Sequence, residues 1–186
     1  MRKAIKDQLE FGEVAIPSIQ FNMKSRDDIV QILLGLQHLY ADSSCREELF
    51  DLLKKLMPSD ISPDHGRPGM HLWKILVLGT LRLNLNCDYD RIHDLANNHI
   101  KIRQMLGHGS FGDQPDYGLQ TIKDNVSLFT PEILDQINQV VVKAGHQLVK
   151  KKRMKRSRAD VIPLSSKPTF SFRPIFDYCL RRVVKH

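Results

Sequence analysis

Cysteine is scarce and scattered in this chain. Cys45, Cys87 and Cys179 are the only three among 186 residues, and none stands in a Cys-x-x-Cys pair. An odd, widely spaced set argues against both a disulfide framework and a zinc site, so free thiols in a reducing compartment are expected. Long apolar runs are missing too. No stretch approaches the ~18 residues a membrane span requires. The opening MRKAIKDQLE is basic without an apolar centre, so it does not read as a secretory signal. These features predict a soluble, cytoplasmic protein with no membrane partner. Tryptophan occurs once, as Trp73 within LWKIL, and reads as a core aromatic. No Ser-His-Asp or Cys-His arrangement, phosphate-cradling glycine loop or internal repeat is present. His93, His99 and His108 lie near Cys87, but their spacings fit no zinc pattern, and they are expected as surface or loop histidines.

Positive charge is abundant and unevenly placed. Of 28 Lys/Arg and 21 Asp/Glu in the chain, 12 and 2 lie from Lys150 onward, leaving 16 against 19 in residues 1–149. The first part is therefore mildly acidic and the excess of +7 belongs to the tail. A 41% hydrophobic fraction at this length allows one domain with a proper core, followed by a tail.

The apolar pattern is helical wherever it is regular. Residues 1–24, interrupted by Pro17, read as an irregular lead-in. Ser25 can cap a helix to about Tyr40, with Ile29, Ile32, Leu33, Leu36 and Leu39 on one face. A second helix from Ser43 or Ser44 to Met57, with Leu49, Leu52, Leu53 and Leu56 inward, completes a helical hairpin. Pro58, Pro63, Gly66, Pro68 and Gly69 mark a linker. From Met70 to Leu85 apolar residues occupy too many sides for a surface helix, which predicts a buried central one. Asp88 can cap the next helix, which carries Ile92, Leu95 and Ala96. Ile100, Ile102, Met105 and Leu106 continue the core side to a stop at Gly107. After a loop over 108–115, a helix near Gly118 places Leu119, Ile122 and Val126 inward and ends around Phe129. Thr130-Pro131-Glu132 starts a long closing helix. Along it, Leu134, Ile137, Val141, Ala144 and Leu148 recur at alternating spacings of three and four. The expected fold is all-α: a hairpin, a helix-turn-helix-like bundle over 25–152 with the closing helix, then a disordered basic tail over 153–186.

The segments RPGMHLWKILVLGTLRLNLN, CDYDRIHDLANNHIKIRQMLG and QPDYGLQTIKDNVSLF, followed by TPEILDQINQVV, come in an order with a family likeness. From Arg67 to about Lys152 the chain resembles the helical N-terminal domain of bacterial insertion-element transposases. The resemblance implies binding to the terminal repeats of the element. It also implies a following RNase H-like domain, in which three carboxylates hold two Mg²⁺ ions that cut and join DNA. The residues after Lys152 are too few for such a domain. No cofactor is expected in this chain, with Mg²⁺ reserved for a complete enzyme, so a transposase by descent without activity of its own is expected. The tail adds a second sign. Taking the last base of each codon with the first two of the next, Lys155 to Tyr178 can encode ALKGRCDSFVVETDVQFPTDFRLL. This is similar to the family's first catalytic strand, GRCDSFVVETDVHFPTD, with Gln where the family has His. A frame shift near Arg153 or Met154 would explain the tail as its by-product and leave Asp160 and Asp177 as incidental acids.

In the helix after Gly118, Gln120, Thr121, Lys123 and Asn125 are expected to face outward as a recognition edge. Gln and Asn can pair with adenine, Thr can meet a thymine methyl, and Lys can hold phosphate. Arg91, Lys101 and Arg103 are candidates for backbone contacts. The run Lys150, Lys151, Lys152, Arg153, Lys155, Arg156, Arg158 would add salt-sensitive phosphate binding. The expected partners are DNA, and the chain itself or an intact transposase. In the alternative reading the chain inhibits an intact enzyme through the Leu134-to-Leu148 face, or is a pseudogene product without activity.

Overall fold

The computed structural model describes residues 13–56, 69–109 and 116–159, without the side chains of 148–159. Among the described residues every regular element is helical, so the all-α expectation holds. The helices are α1 (Asp28–Ala41), α2 (Ser43–Lys54), α3 (Leu72–Leu85), α4 (Tyr89–Asn98), α5 (Ile100–Met105), α6 (Leu119–Val126) and α7 (Pro131–Ala159). A short 3₁₀ turn, Ile16–Ser18, precedes them. No helix among the described residues is long and apolar enough to cross a membrane.

Aspartate sets three of the seven helix starts among the described residues. Asp27, Asp42 and Asp88 each accept a backbone N–H of the first turn that would otherwise lack a partner, which caps α1, α2 and α4. Asp27 therefore replaces Ser25 as the cap of α1. Ser25 instead accepts the N–H of Asp27 through Oγ, 3.1 Å away. At the other end of α3, Asn86 adopts the left-handed conformation with φ 48°, and its N–H and that of Cys87 return to carbonyls of the last turn.

Helix α3 is the central element, packed against α1, α2, α4 and α6. Leu72, Trp73, Ile75, Leu76, Val77, Leu78 and Leu81 on it are buried, as a helix apolar on most sides requires. Leu83 is the exception, 43% exposed near the end. The buried Trp73 indole donates to Met105 O at 2.8 Å, which ties α3 to the end of α5 without leaving a polar group unsatisfied. The lead-in also belongs to the core. Ile16 and Ile19 are buried, and the Gln37 amide donates to both of their carbonyls, at 2.8 and 2.9 Å.

Helix α7 packs against α2. Lys143 pairs with Glu48 at 3.0 Å and Lys55 meets Gln136 at 3.5 Å. The seven-residue step from 48 to 55 thus matches the step back from 143 to 136, so the two helices run antiparallel. Ile137 and Val140 are buried in this seam, with Ile133, Val141 and Ala144 partly buried beside them. Of the face expected to pair with another chain, Ile137 is buried here, and Leu134, Val141 and Ala144 are half-buried. The closing helix was expected to end at Lys152, and α7 instead continues to Ala159. Most of the expected linker (57–68), part of the loop (110–115) and the remainder of the tail (160–186) lie outside the described residues.

Candidate nucleic-acid interface

Helices α4, α5 and α6 form the candidate interface, with α6 packed on α3 and α4. What fixes α6 is a polar knot at its N-terminal side. Asn97, near the end of α4, donates its amide to Tyr117 O at 3.1 Å and accepts Tyr117 N–H on Oδ1 at 2.9 Å. A side-chain amide here does what a neighbouring β-strand would do, satisfying both backbone groups of Tyr117. His93 Nε2 lies 3.1 Å from the same Asn97 amide. The Tyr117 hydroxyl makes a short hydrogen bond to Nε2 of His108, whose side chain is buried. Arg103 donates to Asn97 O at 3.1 Å and to Asp116 at 3.2 Å, and Lys74 of α3 sits over the Tyr117 ring. Burial pushes the Tyr117 hydroxyl well above its ordinary 10.0, partly offset by the Arg103 charge.

Of the three histidines expected on the surface or in loops, His99 and His108 do lie in connections between helices and His93 lies on α4, and all three bond within the bundle. His108 is buried against Tyr117, His93 is half-buried beside Asn97, and His99 caps α5 by accepting Ile102 N–H through Nδ1 at 3.3 Å. No group of three His, Cys, Asp or Glu side chains able to hold a metal occurs among the described residues. Cys45 and Cys87 are free thiols, each pushed up by burial.

The recognition edge is narrower than expected. Gln120 and Thr121, in the first turn of α6, are exposed, and Lys123 is half-buried. Asn125 is 6% exposed and gives its amide to Thr121 O at 2.6 Å, so it faces inward with Ile122 and Val126. The correction follows from helical geometry: Asn125 lies three residues from Ile122 and beside Val126, hence on the buried stripe. Leu119, expected inward, is half-buried outside the core cluster. Asp124 holds the Gln120 amide at 2.7 Å.

Arg91 is exposed and pairs with Asp94 at 3.0 Å, and Lys101 meets Gln104 at 3.2 Å. The Arg103 side chain is only 19% exposed and is engaged in the knot. Lys150, Lys151 and Lys152 lie far along α7, 19 residues beyond Pro131 at the first of them. That is about 28 Å along a helix axis.

The parts sequence reasoning missed are Asn97, Tyr117 and the two histidines beside them. They meet across 20 residues of chain, and no local pattern announces such a meeting. In comparison with known proteins, no family model, no curated protein and no solved structure matches this chain.

Proposed function

We propose that the bundle binds DNA as the end-recognising part of an insertion-element transposase, with α6 meeting the bases. One observation carries this reading: α6 buries Ile122, Asn125 and Val126 while leaving Gln120 and Thr121 exposed in its first turn. Recognition helices contact base edges with residues near their N-terminus, and they need a rigid mount to hold register. Here the mount is the Asn97–Tyr117 pair, two residues before the start of α6. Gln120 is suited to adenine and the Thr121 methyl to thymine. Lys123, Arg91 and Lys101 are proposed for phosphates, Arg91 giving up its exposed pair with Asp94 and Lys101 its bond to Gln104. Asn125 and Arg103 take no direct part. The resemblance of the Arg67-to-Lys152 segments to transposase N-terminal domains supports the same reading. The activity proposed is binding, not strand cleavage.

The test is titration of a terminal-repeat duplex and an unrelated duplex with the whole chain and with residues 1–152. Preference for the repeat should persist in the shorter protein and fall in the double variant Gln120→Ala, Thr121→Ala. Loss of all preference on removing 153–186 would leave only charge and end the recognition reading.

A further inference from the structure

The antiparallel register of α2 and α7 fixes where α7 loses its neighbour. Since Lys55 faces Gln136 and Glu48 faces Lys143, the first residue of α2, Ser43, falls opposite Leu148. Beyond that point α7 continues as helix from 149 to Ala159, without α2 alongside. Eleven residues of α-helix extend about 16 Å. All seven cations between Lys150 and Arg158 fall in this overhang, and no acid does. Helix α7 therefore outruns α2 where the basic run begins.

We propose that residues 149–159 of α7 form a helical arm that lies along double-stranded nucleic acid, aimed by the unbroken helix behind it. Like charges three and four positions apart repel, so this segment is a poor helix alone. Two features counter that: the packed part of α7 supplies the nucleus, and cations suit a helix C-terminus. Phosphates on a duplex would remove the remaining repulsion. At 3.6 residues per turn, nine consecutive positions circle the axis more than twice, so the run is no single stripe. Such an arm suits a groove with phosphates on both walls better than a flat anionic surface. This inference rests on the reading that the bundle binds DNA, but not on α6 reading the bases.

The experiment separates continuity of the helix from charge. Whole-chain variants are titrated against an unrelated 30-base-pair duplex at several salt concentrations, with circular dichroism recorded in parallel. The triple variant Lys151→Gln, Lys152→Gln, Lys155→Gln keeps the helix and removes charge, and its salt slope should fall by about 3. Val149→Pro keeps the charge and breaks the helix, and should weaken binding by about the same factor as the triple change. Val149→Ala should bind as the parent does. Helicity should rise on adding duplex, except in Val149→Pro. If Val149→Pro binds as tightly as the parent while the triple variant is weakened, the run is only a charged tail and the arm is refuted. Equal binding by all variants refutes it as well. Loss of repeat preference in the α6 variant is scored separately, so either reading can fail without the other. If the parent binds no duplex at all, both fail together.

Discussion

Asn97 and Tyr117 close a ring of two hydrogen bonds, amide to carbonyl at 3.1 Å and backbone N–H to amide oxygen at 2.9 Å. This pair is the main polar tie between the end of α4 and the start of α6. Asn97→Ala would leave two backbone groups of a half-buried residue unpaired, at about 1–3 kcal/mol. Asn97→Asp keeps the acceptor and loses the donor, so it should cost less. Urea midpoints measure both, and a cost below that of an exposed Asn98→Ala control would show that the ring does not hold α6.

The Tyr117 hydroxyl gives a pH signature. Its pKa is raised in the folded chain above the ordinary 10.0, so the unfolded chain loses this proton first as pH rises. Below pH 10 the contribution is fully present. Above it the unfolded state binds fewer protons, and stability falls. Tyr117→Phe should lower stability at neutral pH by about 1 kcal/mol, through the lost bond to His108. The variant should also flatten the alkaline decline measured in urea between pH 9 and 11. A decline of the same steepness in the variant would assign it to other groups.

Gly79 in the middle of α3 has a packing reason. A Cβ built there would overlap Cε2 of Phe129 and lie 2.9 Å from Cδ2. Alanine favours helix over glycine by ~1 kcal/mol, yet Gly79→Ala should still destabilise by about 1–2 kcal/mol, because the ring must leave its seat. In the double variant with Phe129→Ala the helix-propensity gain should reappear. Additive effects in the thermal denaturation cycle would mean that the two do not touch.

Ile137 is 8% exposed in the α2–α7 seam, where an aspartate would bury an unpaired charge. Ile137→Asp should therefore destabilise the fold by more than about 3 kcal/mol and expose α7 to proteolysis. A variant as stable as the parent, but altered in sedimentation, would restore this face to contact between chains.

Asp88 accepts Arg91 N–H at 2.8 Å as the cap of α4. Asp88→Ala should cost about 1 kcal/mol, and Asp88→Asn much less, since Asn caps equally well. Equal losses for the two would point to charge and not to the cap.

Most helix positions were legible because their signals are local. Asp88 caps, Pro131 starts α7, and the density of leucines marks α3 as central, each within a turn or two of chain. The candidate edge was legible only in part. Gln120 and Thr121 are exposed as expected, but helical phase alone turned Asn125 inward. For Arg103 and the histidines, residue type suggested solvent or phosphate, and the partners that claim them stand elsewhere in the chain.

By itself the sequence determined the helical class, the Asp88 cap, the start of α7, the central helix and the crowding of positive charge after Lys150, because periodicity, capping and charge are properties of neighbouring residues. Only the tertiary structure decided that Asn97 would grip Tyr117, that Ile137 would be used up against α2, and that α7 would outrun α2 at Leu148. Those outcomes depend on which distant surfaces meet and in what register. Burial and hydrogen bonding between remote segments set that register, and no local stretch of chain encodes it alone.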